Sequence, residues 1–337
     1  MTDIDNIEII KTENYIYVYE KLGENSLRLI HMFGKSPLCF VPAKIADMQV
    51  TELAPYCFSS KSLSAELKVK VQSEIGIDSD MTELSDRYIQ NIILSDGIRK
   101  IGRLAFYNCR NLARIELPAD IESVDGDAFM NCTKLSMLVM RGDPKTRSCL
   151  KQILAQISWL VRVSWVSQYR TIAQACFFEY DQTYDEIGPA HIFKLNMNGE
   201  GFRARQSFND QVFVWKQYDD TFEEAKAQES EQDLLDMAFY RLIFPYELED
   251  AAKRVFCEYV KAHGQKLGEM LVQKRDVSLL ERYLDLVDTD GNRLADAQAV
   301  TDMIAKSAEA DWGEGSVILL RFKKKYLTVS RKNRFTF

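Results

Sequence analysis

The feature that most constrains this chain is a repeat. The stretch beginning IRKIGRLAFYNCRNLARIEL at Ile98 returns as IESVDGDAFMNCTKLSMLVM at Ile121. Ile98 recurs as Ile121, Ile101 as Val124, Phe106 as Phe129, Asn108 as Asn131, Cys109 as Cys132, Leu112 as Leu135 and Ile115 as Leu138, every pair at the same offset. Upstream, Val50 to Phe58 (VTELAPYCF) matches the block from Ile98 to Phe106, an offset that reads as two coils with a small insertion. A period of roughly 20–29 residues describes one turn of a solenoid, whose coils bury their apolar edges only by stacking. The alternating pairs Ile92/Leu94, Ile115/Leu117 and Leu138/Met140 are then short strands in one ladder. Phe106 and Phe129 stack inside, Asn108 and Asn131 turn inward to satisfy turn backbone groups, and Cys109 and Cys132 are small buried hydrophobes rather than nucleophiles.

These residues resemble the BspA-type leucine-rich repeat, a coil of the pattern IG..AF.nC..L..I.lP. The resemblance covers about residues 15 to 142, some four coils, and implies a protein-binding or surface role without catalytic residues. Residues 22–58 are similar to the usual opening of such arrays: a hairpin turning near Gly23 to Ser26, a step at Val41-Pro42, then the first coil. A short solenoid needs its ends covered. The YIYVY strand and hairpin serve at the front. At the back, KTRSCLKQILAQISWL places Leu150, Ile153, Leu154, Ile157 and Leu160 on one helical face after Pro144.

From 161 to 222 the chain is rich in aromatic residues, among them Trp165, Phe177, Tyr180, Phe202, Phe213 and Trp215. NGEGFRARQSF (198–208) starts at a glycine turn and then alternates as a half-exposed strand does, and its G-x-G lacks the third glycine and the helix of a phosphate loop. Glu179, Tyr180, Arg203 and Arg205 are the candidate binding residues here, the polar lining of an aromatic pocket. Segments 230–243, 247–263, 265–274, 276–287, 296–308 and 314–325 show helical spacing. Met237, Met270 and Met303 are evenly spaced, at the length of an ankyrin repeat, and the region resembles ankyrin-like helix pairs, with a generic helical bundle as the alternative. The whole is similar to leucine-rich repeat proteins of gut-type anaerobic bacteria.

The expected fold is therefore α+β: a short leucine-rich-repeat β-solenoid with an N-terminal hairpin cap (1–142), a capping helix with an aromatic-rich mixed segment (143–222), and a helical-repeat domain with a basic tail (223–337). Catalytic motifs are missing: no Gly-x-Ser-x-Gly, P-loop, His-Glu-x-x-His or Cys-x-x-Cys occurs. His31, His191 and His263 have no metal-ligand spacing, His191 reads as structural, and the seven scattered cysteines build neither a zinc site nor a disulfide framework. Aligned as a calcium loop, residues 286–297 put Leu286 and Ala297 at the essential carboxylate positions, so they form a turn. No cofactor or metal is expected. The net charge of -7 argues against nucleic acid as the main partner. The tail from Arg321 to Phe337 (RFKKKYLTVSRKNRFTF) nevertheless holds seven Lys or Arg and no acid, suited to an acidic partner or RNA. No signal peptide or bilayer-spanning run is visible, which points to a cytoplasmic, reducing setting. The function expected is a non-enzymatic interaction scaffold for an unidentified protein. The alternatives are a small-molecule-binding or enzymatic middle segment with accessory repeats, and a fragment of a bacterial cell-surface adhesin.

Overall fold

The structure, a computed structural model, describes residues 6–75, 80–187 and 192–327. The chain divides into two compact units, Met1–Thr221 and Phe222–Phe337. His191 and the tail from Thr328 onward lie outside the described residues.

The first unit opens with strands β1 (Ile7–Lys11), β2 (Tyr15–Lys21) and β3 (Ser26–Gly34), an antiparallel meander whose second turn closes through Leu22 N–H to Ser26 C=O. Then come β4 (Leu38–Val41), β5 (Lys44–Ile45), β6 (Met48–Leu53), helix α1 (Ala65–Ile75) and β7 (Thr82–Glu83). The insertion between the first coil and the regular ones is largely α1. Its Leu67 and Val71 pack with Ile16, Val18, Ile30 and Phe33 to form the core of the N-terminal cap. The coils proper follow as β8 (Asn91–Leu94), β9 (Lys100–Ile101), β10 (Arg114–Pro118), β11 (Ser123–Val124) and β12 (Met137–Arg141).

Sequence period and strand register coincide. Arg114 pairs with Asn91 and with Met137, and Lys100 with Ser123, each one coil period away; Lys100 also pairs with Glu52, across the insertion. Each coil therefore adds a rung to two parallel ladders, one of the order β6-β9-β11 and one of the order β4-β8-β10-β12. Phe58, Phe106 and Phe129 form a column of stacked rings, with centroids 5.3 and 5.1 Å apart and planes tilted by 5° and 15°. All three are fully buried, as the pattern requires. With β6 paired directly on β9 and Phe58 stacked on Phe106, the offset between Val50 and Ile98 is not two coils with a small insertion but one coil step with a long insertion holding α1 and β7. The cysteines beside them do more than fill space: Cys109 Sγ donates to the Phe58 carbonyl and Cys132 Sγ to the Phe106 carbonyl, each at 3.1 Å. One thiol per coil thus satisfies a carbonyl of the coil before it.

The asparagines depart from the expectation. Asn108 and Asn131 are half-buried, not fully inward, and Asn131 Nδ2 donates to Asn108 Oδ1 at 2.8 Å. Both have left-handed backbones, with φ of 64° and 65°. The position selects Asn because a short polar side chain tolerates that conformation at low cost.

The capping helix is real but shorter than its apolar pattern suggests. It is α2 (Leu150–Leu154), after which the chain runs through buried Ile157 into β13 (Val161–Ser167) and β14 (Arg170–Phe177). Gln152 Oε1 accepts from the Val124 N–H, and Gln156 Nε2 donates to the Asp125 carbonyl, closing the exposed end of the β11 rung. Strand β13 is a further parallel rung, pairing Arg162 with Met137, and β14 turns back antiparallel on it. Beyond lie the hairpin β15 (Asp181–Ile187) and β16 (Ile192–Asn198), helix α3 (Gly201–Ala204), the pair β17 (Phe208–Asn209) and β18 (Val212–Phe213), and α4 (Trp215–Asp220).

The second unit holds α5 (Phe222–Ala225), α6 (Glu231–Ile243), α7 (Asp250–Ala262), α8 (Gly264–Lys274), α9 (Val277–Asp285), α10 (Ala297–Glu309) and α11 (Gly313–Phe322), the last running on as a π-helical turn, Lys323–Leu327. Helices α6, α8 and α10 begin at Glu231, Gly264 and Ala297, evenly spaced in step with the methionines. Met237, Met270 and Met303 are buried at equivalent points, and a Cβ at Gly268 would meet Met303 Cγ at 2.6 Å, so glycine is what lets α8 approach α10 closely. Asp236–Lys274 at 3.2 Å and Glu269–Lys306 repeat one ion pair between successive helices.

Candidate functional site: the outer ladder face

A parallel ladder presents its side chains in rows, alternately inward and outward. The inward rows here are Cys39, Ile92, Ile115, Leu138, Val163 and Val41, Leu94, Leu117, Met140, Trp165, all buried. The alternate rows are Leu38, Asn91, Arg114, Met137, Arg162 and Phe40, Ile93, Glu116, Val139, Ser164, of which Val139 and Ser164 are buried and the rest are open to solvent at least in part. Leu38 and Phe40 are 54% and 47% exposed at the first rung. Next to this apolar corner lies a charged strip: Arg114 meets Glu116 at 2.5 Å, and Arg141 spans Glu116 at 3.3 Å and Asp96 at 2.9 Å. Half-exposed Met137 continues the face beyond it. The result is a surface with an apolar end and a pattern of charge whose spacing is set by the strands beneath.

The far end of this ladder is closed by a side chain. At the last strand, the Tyr218 hydroxyl accepts from the Cys176 N–H at 2.7 Å and donates to the Cys176 carbonyl at 2.8 Å. An unpaired strand edge invites further pairing, and a buried hydroxyl that serves both backbone groups removes that hazard. Trp165, Phe213, Trp215 and Tyr218 pack around it with ring centroids 4.8–6.1 Å apart. Much of the aromatic middle segment is thus a hydrophobic plug on the end of the solenoid.

The four candidate pocket residues separate. Glu179 is exposed. Tyr180 and Arg205 are brought together, with the guanidinium 4.9 Å from the ring, and Phe202 lies 5.5 Å from the same ring. Arg203 points outward and pairs with Glu200 at 2.8 Å. Arg205 is 3% exposed and donates to the carbonyls of Ile157, Phe178, Gly201 and Trp159. It is a tie between three backbone segments rather than the lining of a cavity. The expected strand here is also corrected: Gly201–Ala204 is one helical turn. Gly201 passes so close to Phe178 that a Cβ would lie 2.0 Å from its carbonyl oxygen, and that tertiary approach overrides a short alternation. The signal missed in the sequence was the glycine, read only as a turn.

A Ser–His–acid grouping does occur, in the N-terminal cap. His31 is fully buried, with Nδ1 2.7 Å from Ser62 Oγ and Nε2 3.3 Å from Glu83 Oε1. Nδ1 is also 2.7 Å from the Cys57 carbonyl. A carbonyl only accepts, so Nδ1 carries a proton and cannot take one from Ser62. The arrangement pins the cap together and does not activate a nucleophile. The cysteines are equally quiet, since burial pushes the Cys57 and Cys109 thiols well above their ordinary range. Residues 287–293 form the expected turn, in which Asp288 accepts from the Asp290 and Asn292 amides and from Lys261, an arrangement that holds its carboxyl down at about 2. No group of three or more potential metal ligands occurs among the described residues.

The family model described as the BspA type leucine-rich repeat region matches residues 77–187 in six copies, more than the four coils expected from the sequence. No curated protein matches the chain significantly. Among solved structures, the chain is similar to a T. pallidum leucine-rich repeat protein (20% identity, TM-score 0.27, 41% of this chain and 52% of that one). It is also similar to a leucine-rich repeat protein from Bacteroides capillosus (17%, TM-score 0.26, 40% and 99%) and to the pneumococcal vaccine antigen PcpA (20%, TM-score 0.22, 41% of each). The chain thus spans about half the length of the T. pallidum protein it matches. Recurring residues and a register equal to the sequence period over β8–β12 agree with the family match, so the coils within residues 77–187 are of the BspA leucine-rich repeat type.

Proposed function

We propose that this protein is a non-enzymatic protein–protein interaction scaffold, with the outer face of the solenoid ladder as its principal contact surface. The observation that carries this reading is the pair of alternate rows. Leu38, Phe40, Ile93 and Met137 offer apolar area on either side of the Arg114–Glu116–Arg141–Asp96 network, and protein interfaces combine apolar contact with polar and charged groups in this way. The helical unit adds a second set of faces, built on ankyrin-like helix pairs, and an open groove between α8 and α10 lined by Glu269, Gln273, Lys306 and Glu309. A reducing, cytoplasmic setting accords with seven cysteines that are all free and buried. No helix among the described residues is long and apolar enough to cross a membrane. The pocket alternative draws little from Arg205, whose donors are engaged by backbone carbonyls.

The test is affinity capture from the native cell with three baits: the natural chain, a Phe40→Glu/Met137→Glu variant, and a Lys216→Glu control off the ladder. A partner held by the natural chain and the control but lost from the face variant is the expected result. Identical captured sets from all three would remove the ladder face as the contact surface.

A further inference from the structure

The hairpin of β15 and β16 stands by itself. Among the described residues, each strand pairs only with the other, so the outer edge of each has no strand beside it. Both faces are open at least in part. On one face Tyr184 and Leu195 lie directly opposite each other and are 66% and 43% exposed. On the other, Asp185 stands opposite Lys194 and Thr183 opposite Asn196, whose amide donates to the Asp185 carboxylate. Asp185, Lys194 and Thr183 are exposed and Asn196 is half-buried. A two-stranded sheet of this kind is marginal in water, and further strands are what stabilise it.

The two edges differ in charge. Strand β15 (DQTYDEI) carries three acids and no cation, whereas β16 (IFKLNMN) carries one lysine and no acid. Like charge on an edge deters a second β15 from pairing with the first. Strand β16 is open to its own copy in any register that keeps Lys194 from meeting Lys194.

We propose that two copies of the chain associate through β16, antiparallel across a two-fold axis at Leu195, to give a four-stranded sheet of the order β15-β16-β16-β15. Leu195 then lies opposite Leu195, and Lys194 of each copy lies opposite Asn196 of the other. On one face the Tyr184–Leu195 pair continues across the axis as a single row: tyrosine, leucine, leucine, tyrosine. On the other face each row runs Asp185, Lys194, Asn196, Thr183, so every lysine keeps its own aspartate on one side and meets an amide on the other. Both copies offer the same strand in the same way, and the contact closes as a dimer. The acidic β15 strands end up outermost, where their charge opposes further addition.

Sedimentation velocity of the full chain at about 50 µM tests this. The expected species is a dimer, twice the 38.9 kDa of one chain. Leu195→Asp sets two carboxylates face to face in place of two leucines and raises the dissociation constant at least about a hundredfold. Leu195→Lys does the same, and an equal mixture of the two variants regains the dimer because carboxylate then meets ammonium. The position is exposed, and circular dichroism matching the natural chain shows that the variants fold. Under mild oxidation Leu195→Cys gives a cross-linked dimer. Tyr184→Cys does not, since three strand spacings, about 14 Å, separate its two copies. The natural chain, whose cysteines are all buried, is the blank. A monomer at this concentration overturns the proposal, as does a dimer untouched by Leu195→Asp or a mixture that stays monomeric. Species larger than a dimer mean that β16 pairs with β15 of the next copy, and they overturn it too. So does a Leu195→Cys adduct with a different protein in the native cell in place of the homodimer.

Discussion

Replacing Phe106 by alanine removes the middle ring of the three-ring column. Phe106 is fully buried and lies 5.3 Å from Phe58 and 5.1 Å from Phe129. Truncating a buried phenylalanine costs about 3–5 kcal/mol, the spread reflecting how far the surroundings collapse. Collapse is poor here. The neighbouring coils are held at the strand spacing of about 4.8 Å, and the Phe106 carbonyl is itself engaged by Cys132 Sγ. Two aromatic contacts are lost as well, each worth about 0.5–1.5 kcal/mol beyond the area buried. The expected loss therefore lies at the upper end, about 4–5 kcal/mol. Urea unfolding followed by circular dichroism measures it, with the two compact units fitted as separate transitions where the data require. Phe40→Ala is the internal control: the same residue type, half exposed on the outer face, changes stability by about 0.5 kcal/mol or less. A loss below about 1.5 kcal/mol for Phe106→Ala, or one equal to that of Phe40→Ala, would refute a core organised around the column.

Asn131→Ala should cost about 1–2 kcal/mol and Asn131→Gly distinctly less, because the position demands a left-handed backbone before it demands an amide. Arg205→Met should destabilise the first unit by at least about 3 kcal/mol, since four backbone carbonyls lose their donor; a neutral result in thermal unfolding would mean water replaces the guanidinium. Tyr218→Phe removes both bonds to Cys176, and faster amide exchange confined to Arg170–Phe177 is the expected signature. Glu83 is held below the ordinary carboxylate range, first by its contact with His31 and then by Lys68. Its contribution to stability is therefore present above the usual carboxylate value and lost as pH falls through the lowered one, and Glu83→Gln should flatten that part of an acid-unfolding curve. A natural acid limb in that variant would refute the assignment.

How much was legible in the residues follows from the range of the interactions involved. The coil period could be read directly because each coil repeats its neighbour's environment, so one set of apolar, Cys and Asn positions is selected again and again. The register copies it rung for rung. The helices of the second unit were legible for a similar reason: an amphipathic stripe is a local pattern, and Ser230, Asp276 and Asp296 supply side-chain caps at three of their starts. The aromatic middle segment was not legible as a plug. Its order comes from contacts between residues far apart in sequence, such as Tyr218 with Cys176 and Arg205 with Ile157. The surroundings of Arg205 were hidden on the same ground, because a sequence shows that Arg205 is basic but not that four carbonyls converge on it.

The outer face divides along that line too. The sequence alone determined that Arg114, Glu116 and Met137 would alternate with core positions, because the strand period is a property of the backbone. Only the tertiary structure decided that the first rung, Leu38–Val41, would align with Asn91–Leu94 across the inserted helix. Two rungs separated by the whole of β5, β6, α1 and β7 become neighbours through burial of the cap, and no local pattern carries that distance.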